Sequence, residues 1–376
     1  MKWSFAFAAI VGTLAGCTST PLPPAGQAAP SASIGLPPVV SGNDITTARS
    51  RWVPVGWSDL PGYAQDDLYD AWNAWLKGCE RAPAEWVRLC GDVRQLSIAT
   101  AEAQRAWMME KLQPYRVEPL QPSAGSSEGL LTGYYEPLLD ATRLPTARNT
   151  VPLYRPPQGL AARRPWYSRQ EIDTAPEAHA QLRGREIAYL ADPIDALIAQ
   201  IQGSARARIT EPDGTQRMVR LAFAGTNDQP YRSVGTWLLQ QGAVRDASWV
   251  GIKAWAMQNP QRVNEMLWTN PRYVFFREEP LSDLDAASGP RGAQGVALTP
   301  GRSIAVDPGS IPYGAPVWLV SSGAAANLQR LVFAQDTGSA IVGAVRADYF
   351  TGWGAESGEI AGRLKQPLRL WVLWPR

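Results

Sequence analysis

Three aspartates in the C-terminal third stand where a carboxyl group could exchange a proton with a bound molecule. Asp307 closes the run Arg302-Ser-Ile-Ala-Val, Asp336 opens Asp-Thr-Gly-Ser339 after an apolar run, and Asp348 stands between Arg346 and Tyr349-Phe350. The runs read as short strands that end at their aspartates, so stiff elements would deliver carboxylates to turns where side chains converge. Such placement suits general acid/base work. Aromatic neighbours can exclude water from Asp348, raise its pKa and keep it protonated as an acid; the alternative is a surface aspartate paired with Arg346. Asp-Thr-Gly is also the signature of aspartic proteases, faintly echoed in Asp307-Pro-Gly-Ser310. A protease needs two such turns facing each other from separate lobes or subunits, and only two strands separate these. A tight turn whose aspartate bonds its own backbone would also explain the pattern.

Most other catalytic plans lack parts. The chain has one histidine, His179, and no cysteine cluster, so no metal site is expected, and no cofactor. Gly-x-Ser-x-Gly is absent. Gln202-Gly-Ser204-Ala-Arg206 and Tyr231-Arg-Ser233 offer amide, hydroxyl and guanidinium donors near turns, suited to sugar hydroxyls and N-acetyl groups or equally to ordinary capping. A net charge of +2 gives no electrostatic case for nucleic acid. Sixteen tryptophans lean weakly toward a carbohydrate surface, although packing is the default for each one.

The elements that would position these groups follow from periodicity. Residues 66–77 place Leu68, Trp72, Trp75 and Leu76 on one helical stripe behind acidic residues. A second helix is expected over 98–112, its apolar face interrupted by Arg105. Residues 129–137 read as a strand, 140–180 as long connections, and 186–192, 196–210 and 216–224 as strands, the last two joined at Glu211-Pro-Asp-Gly-Thr215. Helices are expected over 232–241, over 249–258 with Ser248 as N-cap, and over 261–268. Strands follow over 273–277, 295–307, 315–320, 328–336 and 368–374, with a short helix over 359–365. Short strands punctuated by Gly and Pro suggest a barrel.

The N-terminus reads as a processing segment. Lys2, an apolar core and Leu14-Ala-Gly-Cys17 look like a lipoprotein signal peptide over 1–16, with Cys17 as the lipidated first residue of the mature chain. An ordinary secretory signal is the alternative. Thr18 is not the aspartate that usually retains such proteins in the inner membrane, so an outer-membrane lipoprotein facing the periplasm is expected. Residues 17–49, rich in Pro, Ala and Ser, read as a tether. Cys79 and Cys90 read as a disulfide in an oxidising compartment, or as two buried thiols.

Taken together, the segments resemble the membrane-bound lytic murein transglycosylase A family. They include Leu60-Pro-Gly-Tyr63, Thr132-Gly-Tyr-Tyr-Glu-Pro137, Ile201-Gln-Gly-Ser204, Tyr231-Arg-Ser-Val-Gly235 and Asn270-Pro-Arg-Tyr-Val-Phe-Phe276. Arg302-Ser-Ile-Ala-Val-Asp307 and Asp336-Thr-Gly-Ser-Ala-Ile-Val-Gly343 with Asp348 complete the set. They run in family order across nearly all of the chain. One departure is Ser339, where a second glycine commonly follows the Asp-x-Gly turn.

The resemblance implies a mainly β fold with added helices. A double-psi β-barrel domain (50–137 and 246–376) would carry a smaller inserted β-rich domain (138–245), with a glycan groove between them. It implies cleavage of the β-1,4 bond between N-acetylmuramic acid and N-acetylglucosamine without water, leaving 1,6-anhydromuramoyl ends. By position Asp348 would be acid and then base and Asp336 its neighbour. Asp307, Thr132, Tyr134, Gln202 and Ser204 would support or line the groove. The expected partners are peptidoglycan strands, the membrane through Cys17, and other wall-remodelling proteins. The other readings are a non-catalytic peptidoglycan-binding lipoprotein and a water-using muramidase.

Overall fold

In the computed structural model of the chain, residues 42–121 and 127–376 are described. The signal peptide, Cys17 and most of the tether lie outside them. Six strands pair in a ring: Lys365–Pro375, Pro316–Ser322, Asn327–Asp336, Ser303–Val306, Arg346–Trp353 and Gly129–Glu136. The last closes on the first through the pairs Lys365↔Thr132 to Leu368↔Gly129. Two of the pairings, Ser303–Val306 with Asn327–Asp336 and Arg346–Trp353 with Gly129–Glu136, are parallel. Leu112–Pro119, Ser50–Pro54 and Ile45–Thr46 extend the sheet beyond Lys365–Pro375.

The barrel strands are apolar on both faces because helices cover the outside. Val317, Trp318, Leu319 and Leu331, Val332, Phe333, Ala334 are all buried. Helix Leu68–Gly78, capped by Asp67 on the Tyr69 N–H at 3.0 Å, lays Trp75 against Phe333 with ring centroids 5.5 Å apart. Trp72, Trp75, Trp86 and Trp107 pack edge to face beneath it. These tryptophans are core. Arg105, which interrupts the face of helix Ala101–Lys111, donates to the Asp66 carbonyl at 2.5 Å. Asp66 itself pairs with buried Arg302 at 2.7 Å and accepts the Leu331 N–H, which fastens this helical layer to the barrel. Cys79 and Cys90 are joined by a disulfide.

The second sheet has the order Val274–Pro280, Gln216–Thr226, Ala205–Thr210, Leu138–Thr142, Glu186–Leu190 and Val151–Tyr154. Val274–Pro280 zips antiparallel along Gln216–Thr226, so this sheet reaches past residue 245, where the insertion was expected to end. Among the described residues no helix is long and apolar enough to cross a membrane.

Several local expectations give way. The strand expected over 196–210 is helix Pro193–Gln202 followed by strand Ala205–Thr210. Asp192 caps the Ile194 N–H at 2.8 Å, Pro193 takes the first position and Gly203 ends the helix at φ 82°. Those end signals outweigh the β-branched isoleucines between them. The 140–180 stretch is not connection alone. It holds strand Val151–Tyr154, at a sheet edge where Pro152 is tolerated, and helices Arg169–Thr174 and Pro176–Leu182, the first opened by a Ser168–Glu171 capping box. The strand expected over 295–307 shrinks to Ser303–Val306.

Candidate active site

Asp348 is not at a strand end. It is the third residue of Arg346–Trp353, in mid-strand. Strand alternation then decides its surroundings. Tyr349 points to the other face, where its hydroxyl donates to the Gly301 carbonyl at 2.8 Å. The aromatic sharing the face of Asp348 is Phe350, whose ring packs 5.3 Å from that of Tyr134.

Register sets the rest. Asp336 pairs with Ala305, Ala305 with Asp348, and Asp348 with Thr132, so four adjacent strands align these residues in one row. Gly133 lets helix Gly354–Arg363 sit directly on this row, since a Cβ there would lie 2.7 Å from the Ala361 Cα. Thr132 Oγ1 donates to Asp348 Oδ1 at 2.5 Å, and Tyr134 donates its hydroxyl to Asp336 Oδ2 at 3.0 Å. Asp336 Oδ1 accepts the Ala293 N–H at 3.0 Å.

The row faces a cavity of about 290 Å³. One wall carries Tyr134, Ser339, Arg346 and Asp348 from the barrel; the other carries Arg169, Gln202, Tyr231 and Asn270. Burial raises the pKa of Asp348 against the opposing pull of the Thr132 hydroxyl and the Arg346 charge. Burial also pushes Asp336 up to about 6, resisted by N–H donors at Thr337 and Ala293 and by Tyr134, and reinforced by the charge of Asp348. Two carboxyls with a preference for the neutral form, beside a cavity with polar donors, can pass a proton to a bound oxygen and take one back.

The remaining expected residues divide. Gln202 lines the cavity, and its carbonyl holds the Tyr135 N–H at 3.0 Å. Ser204 is buried and is not among the cavity-lining residues. Asp307 is also set back. Its oxygens accept the N–H groups of Gly309 and Gly343, both at 2.9 Å, and Arg49 stands 3.9 Å away. It braces the turn after Asp336 rather than facing the cavity. His179 borders a separate cavity of about 220 Å³ with Asp173 and Tyr154.

Glu136 stands out in sequence only as part of the Thr132–Pro137 motif. It is fully buried where the chain leaves the barrel, and accepts from Arg206 at 2.8 Å and Arg220 at 2.7 Å, both from the second sheet. Arg206 also lies over the Trp353 ring at 4.0 Å. One buried carboxylate thus ties the two walls of the cavity together. In sequence, Arg346 stands out only as a pairing partner for a surface Asp348. It makes no ion pair with Asp348 among the described residues and instead reaches Thr132 Oγ1 at 2.8 Å.

Comparison with known proteins bears on the whole assembly. The MltA specific insert domain matches residues 130–277 and the 3D domain residues 302–374. Membrane-bound lytic murein transglycosylase A of Escherichia coli strain K12 is 32% identical over 302 residues, covering 78% of this chain and 74% of the relative. The chain belongs to the membrane-bound lytic murein transglycosylase A family. Among solved structures, the lytic transglycosylase LtgG of Burkholderia pseudomallei is 43% identical, covers 90% of this chain and 99% of its own, and superposes with a TM-score of 0.59. E. coli MltA with bound chitohexaose is 25% identical over 90% of this chain and 93% of its own, with a TM-score of 0.65. The barrel with its inserted sheet is therefore the MltA fold. Thr132, Tyr134 and Gln202 fall in the insert match, and Asp336 and Asp348 in the 3D match. The cavity forms where the two matched regions meet.

Proposed function

We propose that this chain is a lytic transglycosylase that cuts peptidoglycan between N-acetylmuramic acid and N-acetylglucosamine with Asp348 as its acid and then its base. The observation that carries the reading is Asp348 itself. It is a half-buried carboxyl on the cavity wall, with one oxygen held by Thr132 and the other without a hydrogen-bond partner among the described residues. A relative that binds chitohexaose supports a glycan in the corresponding groove.

Protonated Asp348 gives its proton to the glycosidic oxygen as the bond from the muramoyl anomeric carbon to that oxygen breaks. The carboxylate so formed takes the proton of the muramoyl 6-hydroxyl, and that oxygen bonds to the anomeric carbon. No water is consumed. The leaving sugar gains a hydroxyl, the other end becomes 1,6-anhydro, and Asp348 is again protonated. The nucleophile belongs to the substrate, so one carboxyl suffices, unlike the paired-carboxylate glycosidases. Asp336 lies beside Asp348 in the same row, so the charge of one carboxyl disfavours charge on its neighbour, and once ionised Asp336 would stabilise positive charge developing on the sugar. Tyr134 and Gln202 offer groups toward the glycan. Lipid on Cys17 would place the enzyme on the outer membrane, facing the wall in the periplasm.

The test is D348N against wild type on purified sacculi, with products read by mass spectrometry. Wild type should release muropeptides one water lighter than reducing ones, and D348N should fold normally and release none. Hydrated products would make the enzyme a hydrolase. Full activity in D348N would remove Asp348 from the chemistry.

A further inference from the structure

Arg346 stands two residues before Asp348 on the same strand, so both project to one face, opposite Leu130 and Thr132 of the neighbouring strand. The guanidinium is half-buried in the cavity wall. Its Nη1 donates to the carbonyls of Ala347 and Leu130, and its Nη2 donates to Thr132 Oγ1 at 2.8 Å. Thr132 Oγ1 lies 2.5 Å from Asp348 Oδ1.

A guanidinium only donates, whereas a hydroxyl has one hydrogen and two lone pairs. With a lone pair of Thr132 taken by Arg346, its hydrogen must point elsewhere. The one acceptor in reach among the described residues is Asp348 Oδ1. An oxygen that receives this hydrogen does not present its own proton along the same line.

We propose that Arg346 is a positioning residue: through Thr132 it makes Asp348 Oδ1 an acceptor and so assigns the transferable proton to Oδ2. The inference rests on the reading of Asp348 as the acid and base. Arg346 holds the hydroxyl in one sense, the hydroxyl holds one carboxyl oxygen, and the other oxygen is left for the glycosidic bond. The same donors favour the carboxylate that forms after the proton has gone, ready to take the 6-hydroxyl proton.

The experiment is the pH dependence of kcat/KM on sacculi for R346Q, T132V and T132S. Activity requires protonated Asp348 and falls on an alkaline limb. Removing a neighbouring cation, or a hydrogen bond to the charged form, raises a carboxyl pKa. R346Q and T132V should therefore each move the limb upward by about 1 pH unit, and the rate at the optimum should fall on the order of 10-fold or more as the acid loses its orientation. T132S restores the donor and should keep the wild-type limb. Asp336 and Tyr134 stand beside this cluster, and Arg169, Tyr231 and Arg272 line the same cavity. Among the described residues the Asp336 carboxyl bonds neither Arg346 nor Thr132, so a limb set by Asp336 would stay in place in R346Q and T132V. General damage would lower the rate without moving the limb. An inactive D348N with unmoved limbs in R346Q and T132V would overturn this inference and leave Asp348 in place. A fully active D348N would overturn both.

Discussion

Replacing Asp336 by Asn should shift the stability difference from wild type in favour of the variant as pH rises through the carboxyl's titration. Burial raises the Asp336 pKa from 3.8 to about 6. The fold thus prefers the neutral form, and its advantage is complete below the unfolded pKa and lost as pH climbs through the folded one. That rise corresponds to about 3 kcal/mol of stability forfeited once the group is ionised in both states. The amide in D336N cannot ionise. It keeps a carbonyl for the Ala293 N–H and loses part of the remaining hydrogen bonding, which gives a pH-independent offset. The stability difference between D336N and wild type should therefore swing in favour of the variant by about 2.5 kcal/mol between pH 4 and pH 7.5, most of it before pH 7. Urea unfolding of both proteins at four pH values in that span reads it directly, and subtraction cancels every other titrating group. A flat difference, or one sloping the other way, would refute the argument that Asp336 is held against its charge. A site that forfeits stability for a poised carboxyl is the usual trade of an active site.

Other expectations are as direct. E136Q removes the buried charge that pairs with Arg206 and Arg220; it should cost about 3–5 kcal/mol of unfolding free energy and raise KM more than it lowers kcat, and a loss within about 1 kcal/mol would mean the pair is not the tie between the walls. G133A pushes a Cβ against the backbone of Ala361; it should cost about 1–3 kcal/mol and reduce turnover by displacing Thr132 and Tyr134, read by thermal unfolding and sacculus digestion. Replacing Cys79 and Cys90 together opens a loop with a sequence separation of 11; it should lower stability by about 3 kcal/mol while leaving activity at 25 °C intact, because neither cysteine lines the cavity. C17A should move the protein from the membrane fraction to the soluble periplasm, and unchanged fractionation would end the lipid-anchor reading.

Much of this protein could be read locally. Asp67 and Thr100 cap their helices, Ser248 opens Trp249–Gln258 as expected, and the apolar runs at 316–322 and 327–336 form strands. These features depend on neighbours within a turn or on alternation, which a sequence displays. The ordered motifs likewise brought out Asp336, Asp348, Thr132 and Tyr134. Local reading failed where signals competed: a strand is expected over 196–210, but Asp192, Pro193 and Gly203 set a helix over its first half.

The chain's local signals thus supply the residue types that can do chemistry and, where caps and alternation agree, the short strands and helices that carry them. Which of those residues meet depends on strand pairing across the whole chain. Thr132 and Asp348 are 216 positions apart, and they touch because two strands pair in parallel at one register. A slip of one residue would turn Asp348 to the opposite face and break the row from Asp336 to Thr132. The same register makes Arg346 a donor to Thr132 rather than a partner of Asp348, and sets Asp307 behind the cavity instead of in its wall. Register is fixed by the barrel's closure and by the packing of its covered faces, and those depend on contacts from the whole chain at once.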